Sequence, residues 1–136
     1  MSFLQNFKRS SQRRATATVE LAICLPVLVT LIFGALEAAK AIHLQQTATI
    51  VAYEVAQAAT ASGGTSTSAM SQGTSLFTSR SIVGGSINIS PAVTNLTAAG
   101  TNITVTASIP VNQNSYAFAY IFSGRTLSAT VVMQKL

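Results

Sequence analysis

Apolar and polar positions follow three successive rhythms along the chain. From Leu21 to Leu36 no residue is charged, and the run Leu-Ala-Ile-Cys-Leu-Pro-Val-Leu-Val-Thr-Leu-Ile-Phe-Gly-Ala-Leu is apolar on every side. Extended back through Val19 and Ala17 it reaches about 20 residues, or roughly 30 Å as helix, which matches a bilayer core. Helical character then continues without a break. Residues 37–61 contain no glycine or proline, and Ala41, Ala48, Val51, Ala52, Val55 and Ala59 recur at helical intervals. Ser62-Gly63-Gly64 supplies the stop. One helix over residues 16–61 is therefore expected, about 70 Å long by rise per residue, suited to lipid in its first half and amphipathic in its second.

A rhythm of two follows. Ile87 and Ile89 alternate with polar neighbours, and Ile103, Val105, Ala107, Ile109 and Val111 alternate with Asn102, Thr104, Thr106 and Ser108. Leu127, Ala129, Val131 and Met133 repeat the pattern, so three half-buried strands are predicted. Tyr116 to Phe122 is a continuous apolar run that suits a buried strand or a short helix. Between helix and strands, residues 62–81 are rich in Ser, Thr and Gly and read as an irregular connector with a short turn near Leu76-Phe77. About 75 residues without a disulfide make a marginal core, so the sheet is expected to pack on the amphipathic half of the helix. The fold class is α+β: a long N-terminal membrane-spanning helix on a small antiparallel sheet. The domains are a basic leader (1–15), the helix (16–61), the connector (62–81) and a β-rich periplasmic or extracellular domain (82–136).

Charge changes this picture at one end only. The chain of 136 residues is 49% hydrophobic and 8% charged, with a formal charge of +5, against roughly 25% charged in soluble domains. Lys8, Arg9, Arg13 and Arg14 precede the apolar run; without those four the balance is +5 − 4 = +1. No basic stripe remains to track phosphates, so no nucleic-acid partner is expected. On the cytoplasmic side of a membrane such a cluster sets the orientation. Glu20 interrupts the apolar stretch. A carboxylate near mid-membrane costs about 2.5–3.5 kcal/mol, while each Leu, Ile, Val or Phe returns about 0.3–0.6. Val19 to Leu36 holds eleven such residues, a sum of roughly 3–6 kcal/mol that outweighs the glutamate.

Catalytic chemistry finds few residues to work with. There is one histidine, His43, and the only acidic residues are Glu20, Glu37 and Glu54. Seventeen residues separate each from the next, a rotation of about 260° per step on a helix, so the three share no face. A carboxylate pair, a triad or a metal cluster is hard to build from them. No enzyme, metal, cofactor or small-molecule substrate is expected, and His43 reads as a juxtamembrane surface residue. Cys24 is the single cysteine and reads as a small hydrophobe. The lipobox-like Leu21-Ala22-Ile23-Cys24 is set aside because Ile23 is bulky where a small residue is needed. The sequons at Asn88, Asn95 and Asn102 are assigned no role. Pro26 cannot donate to the Ala22 carbonyl, so a kink or local melting is expected there.

The segment Arg13-Arg14-Ala15-Thr16-Ala17-Thr18-Val19-Glu20-Leu21 combines basic residues, a small residue and a glutamate just inside the membrane segment. It resembles the class III leader of type IV pilins, and more specifically the TadE-like proteins of the tight-adherence (Flp) pilus system. Leu25-Pro26 and Phe33-Gly34 resemble that family's Leu-Pro and later glycine, and Leu127 to Met133 is similar to its closing strand. The resemblance implies cleavage by a prepilin peptidase between Ala15 and Thr16, with Arg14, Ala15, Thr16 and Glu20 forming the processing site. The family usually has glycine where this chain has Ala15. Thr16, Glu20, Pro26 and Gly34 are implied in helix packing and assembly. Glu20 is then expected to pair with the new Thr16 ammonium of a neighbouring subunit, since desolvated opposite charges attract strongly. Implied partners are the inner membrane, the peptidase, other pilin or pseudopilin subunits and the Tad assembly machinery. A competing reading makes residues 1–41 a signal peptide with Ala39-Lys40-Ala41 as its cleavage site, releasing a secreted β-rich binding module; Glu37 and Lys40 crowd that cut. A third keeps the leader and leaves a permanent anchor.

Overall fold

The computed structural model describes residues 2–115 and 124–136, and residues 2–15 by their backbone alone. The run Tyr116 to Phe122 lies outside the described residues. The chain forms two compact units, Met1–Leu36 and Glu37–Leu136.

The first helix, α1, spans Ser2–Thr60 and so begins well before residue 16. Residues 1–15 contain no glycine or proline, and extending an existing helix costs little compared with starting one. The helix also runs through Pro26 without interruption, so the local melting expected there is not observed. Pro26 leaves the Ala22 carbonyl without its usual donor, and the Thr30 hydroxyl donates to the Pro26 carbonyl at 2.8 Å.

In the second unit α1 has a sharply defined buried face. Leu44, Ala48, Val51, Ala52, Val55, Ala56 and Ala59 are all fully buried, at the i, i+4, i+7, i+8 spacing of one helical stripe. Four of the seven are alanines, which let the helix backbone approach its neighbours closely. The helix ends at Thr60, and Gly63 follows at φ +72°, a left-handed conformation that glycine adopts at no steric cost.

The stripe packs against a three-stranded antiparallel sheet in the order β1 (Ser86–Ser90), β2 (Asn102–Pro110), β3 (Thr126–Gln134). Register aligns the apolar residues across it. Val105 faces Ile89 and Val131, and Ala107 faces Ile87 and Ala129. Because side chains alternate, these residues share one face. Ile103, Val105, Ala107 and Ile109 of the central strand are fully buried in one cluster with the α1 stripe. The opposite face is polar, with Thr106 and Thr130 hydroxyls 3.0 Å apart across β2 and β3. All three strands thus form where the alternation predicts them, and the α+β architecture stands.

β3 and α1 run side by side in the same direction. Gln45 donates to the Ser128 carbonyl at 3.1 Å, and the Leu136 amide donates to the Thr60 carbonyl at 3.0 Å. Fifteen residues of helix rise about 22 Å and eight of strand about 26 Å, so the two ends of the strand meet the helix at matching heights.

Residues 66–79, expected to be irregular, form a second helix, α2 (Ser66–Ser79). Local chemistry closes both its ends. Thr65 and Ser68 form a reciprocal capping box. At the other end Ile82 N–H donates to Phe77 O and Ser81 N–H to Thr78 O, with Ser81 at φ +55° and both Phe77 and Ile82 buried. This is a Schellman closure with its apolar clasp. α2 then flanks β1: a Cβ at Gly73 would collide with the Ile87 side chain and lie 2.5 Å from Val55 Cγ2. Composition hid this helix because Ser, Thr and Gly are modest helix formers; caps and packing supply what propensity lacks.

Candidate functional site

The six residues singled out from the sequence all lie on α1, within Met1–Leu36. The structure describes Arg14 and Ala15 by backbone alone, and both are helical. Thr16 and Glu20 are exposed and four residues apart, so they share a face about 6 Å apart along the axis. Gly34 stands eighteen residues after Thr16, five whole turns on, and so falls on that same face; Pro26 is about 80° away. A Cβ at Gly34 would meet nothing within 4 Å, so no contact within the chain requires a glycine there.

The surroundings of these residues are apolar and open. Val19, Leu21, Ile23, Leu25, Val27, Leu28, Val29, Leu31, Ile32, Phe33 and Leu36 are each between 40% and 68% exposed. A helix apolar on all sides belongs in the core of a large protein or in a membrane, and this stretch has no core around it. It is one helix long and apolar enough to cross a membrane, and none of its most apolar window is buried. A soluble protein's core helix of this length would be buried; a signal sequence would look the same.

The three glutamates occupy three environments, as their spacing implies. Glu20 is exposed, Glu54 is half-buried, and Glu37 is only 5% exposed, with Oε1 lacking a hydrogen-bond partner among the described residues. His43 is exposed. Among the described residues no group of three or more His, Cys, Asp or Glu side chains is placed to hold a metal ion.

One structurally central residue escaped the sequence reading. Lys135 is only 6% exposed, and its ammonium donates to the carbonyls of Ala59 (3.2 Å), Ala61 (2.5 Å) and Gly64 (3.2 Å). These include orphan acceptors at the C-terminal end of α1, where the helix dipole favours a cation. A signal was present: Leu127, Ala129, Val131 and Met133 set an inward register at odd positions, and Lys135 continues it.

No curated protein and no solved structure matches this chain. The family model described as TadE-like protein matches residues 15–57. That stretch starts at the residue before the expected cut and runs along α1 into its buried stripe, about a third of the chain, and the sheet lies outside it.

Proposed function

We propose that the chain is a TadE-like pseudopilin or minor pilin that acts in assembly of a tight-adherence (Flp, type IV-like) pilus for surface attachment. It is processed by prepilin peptidase between Ala15 and Thr16. In this reading the protein starts in the bacterial inner membrane with its N-terminus in the cytoplasm and its β-rich domain in the periplasm.

One observation above all supports this. The first half of α1 is apolar all round and unburied, while the second half is buried by the chain's own sheet. The folded domain is complete without the membrane stretch, which leaves that stretch available first to lipid and then to the helices of other subunits. Glu20 fits the same account. An ionisable group in a membrane segment is a functional candidate, and cleavage before Thr16 creates an ammonium one helical turn away. In a packed filament the Glu20 carboxylate meets the Thr16 ammonium of a neighbour in a medium where charges interact strongly. Gly34 lies on the Thr16 and Glu20 face and permits close approach of a second backbone, as small residues do between membrane helices.

A secreted module cut after Ala41 is the competing reading, because the buried stripe begins at Leu44 and survives such a cut. The family match, running through residues 41 and 42, favours the uncut helix. The test is Glu20→Ala: membrane insertion is retained and piliation of the cell falls sharply. Unchanged piliation would remove the pairing role from Glu20.

A further inference from the structure

The sheet has two outer strands, β1 and β3, and the hydrogen bonds around them show which backbone groups their edges present. Val111 N–H donates to Arg125 O, and Lys135 N–H to Thr101 O, both at 2.9 Å. Odd-numbered residues of β3 therefore bond to β2, because pairs along an antiparallel ladder alternate. Even-numbered ones turn outward. In step with this, the Ser128 carbonyl accepts from Gln45 of α1, and the Leu136 amide donates to Thr60 of α1. Between those two ties the N–H and C=O of Thr130 and Val132 have no partner among the described residues. By the same alternation Ser86, Asn88 and Ser90 bond to β2, which leaves the backbone of Ile87 and Ile89 facing out from β1.

Neither edge carries the usual protection. Sheets discourage stray pairing with charged side chains, proline or a bulge on their outer strands. β1 and β3 contain no charged residue and no proline, and their registers run without a gap. Direction then decides what can pair. β1 and β3 are each antiparallel to β2, so they run parallel to one another. The joint to the membrane stretch, at residues 36 and 37, lies beyond the start of β3, past the tie between Gln45 and Ser128. Antiparallel pairing of β3 with the β3 of another copy would set the two joints at opposite ends of the pair, where one membrane could not hold both. Pairing β3 with the β1 of a neighbour keeps every copy pointing the same way.

We infer that β3 of one copy takes β1 of the next copy as a parallel strand, in a head-to-tail contact that repeats from copy to copy. Asn88, Thr106 and Thr130 already form one row across the sheet. Setting the neighbour's Asn88 beside Thr130 continues that row without stagger. The neighbour's Ile87 and Ile89 then bracket Thr130. Thr130 N–H donates to Ile87 O, Ile89 N–H to Thr130 O, and Val132 N–H to Ile89 O, so the open groups of the two edges satisfy one another. The apolar faces of both sheets lie on the same side, and Leu127, Val131 and Met133, partly exposed in the single chain, gain Ile87 and Ile89 as neighbours. Such a contact extends into an open array unless its rotation closes a ring. The inference rests on the membrane reading of α1; it requires neither cleavage before Thr16 nor a finished pilus.

The test uses the full chain in the membranes of the cells that make it, with Cys24→Ala so that only introduced thiols can couple. Asn88 and Thr130 are both exposed. Within one copy they are two strands apart, roughly 9–10 Å, too far for a disulfide, whereas neighbouring strands at about 4.8 Å are within its reach. Mild oxidation of the double variant Asn88→Cys, Thr130→Cys should give a ladder of covalent dimers, trimers and longer species. A mixture of copies carrying one cysteine each should stop at the mixed dimer, and copies with Thr130→Cys alone should stay uncoupled. Adding Val132→Pro to the double variant removes an edge N–H that the fold does not use, and should abolish the ladder while the domain's thermal transition is retained. The inference is overturned if no ladder forms, if Thr130→Cys copies couple with each other instead, or if Val132→Pro melts the domain or leaves the ladder intact. A missing ladder beside normal piliation would sink this contact and leave the proposed function standing.

Discussion

Residues 19–36 and 44–59 of α1 both carry many apolar side chains, and those side chains meet opposite fates. In the first stretch Leu, Ile, Val and Phe point in all directions and each is at least 40% exposed. In the second, Leu44, Val51, Val55 and their alanine neighbours form one stripe with no exposure at all, and Thr49, Tyr53 and Gln57 turn outward. The difference lies in periodicity as well as in composition: Gln45, Gln46, Thr49, Glu54 and Gln57 interrupt the second stretch and leave most of its apolar residues on one side. A stripe can be satisfied by one sheet within the chain, whereas apolarity on every side requires a medium or a ring of neighbours. One half of the helix is thus a structural member of a folded domain, and the other half is an unfilled demand for an environment.

The largest expected effects separate these halves by the same change. Val55→Asp places an unpaired charge in the sealed cluster and should lower the stability of the sheet domain by more than about 4 kcal/mol, measured as loss of the domain's thermal transition. Val27→Asp should leave that transition in place and reduce the share of protein recovered in membranes. If Val27→Asp melted the domain as Val55→Asp does, the halves would not be independent.

Next in size is the tie between strand and helix end. Lys135→Met keeps most of the side chain's length and removes all three donors to the Ala59, Ala61 and Gly64 carbonyls. Leaving buried acceptors unpaired should cost about 2–3 kcal/mol, read from denaturant midpoints, with little change in membrane recovery. The two helix glycines sharpen the comparison further. Gly73→Ala must displace Ile87 or Val55 and should cost about 1–3 kcal/mol. Gly34→Ala meets nothing within 4 Å and should leave stability within about 0.5 kcal/mol. Its effect, if the proposed packing holds, appears in piliation.

Much of this architecture was legible in the residues because it rests on periodicity. The run from Leu21 to Leu36, the stripe from Leu44 to Ala59 and the alternation from Ile103 to Ile109 are each a repeated pattern, and each became the element it implied; Val111 falls in a short 3-10 turn just past the strand. What escaped rests on single contacts. α2 has no apolar stripe strong enough to declare it, and depends on the Thr65–Ser68 box, the turn at Ser81 and the fit of Gly73 against Ile87. Lys135 looked like an ordinary terminal lysine until the strand register turned it inward toward the end of a helix remote in sequence. At Pro26 the local melting does not occur, because the helix continues through it, while the Ala22 carbonyl loses its usual donor. Thr16, Glu20 and Gly34, to which the proposal gives a role in assembly, fall on one face of α1 only once the helix is in hand, and their proposed partners lie in other subunits.

The central claim is that residues 1–15 are a leader removed before the helix works. Intact mass and N-terminal sequencing of the protein isolated from cells with an active prepilin peptidase test it most directly. A mature chain beginning at Thr16, and accumulation of the uncut form when the peptidase is absent, is the predicted result. A chain beginning at Ile42 would instead identify a signal peptide and a released domain, and a chain retaining Met1 or Ser2 in peptidase-competent cells would identify a fixed anchor; either contradicts the account.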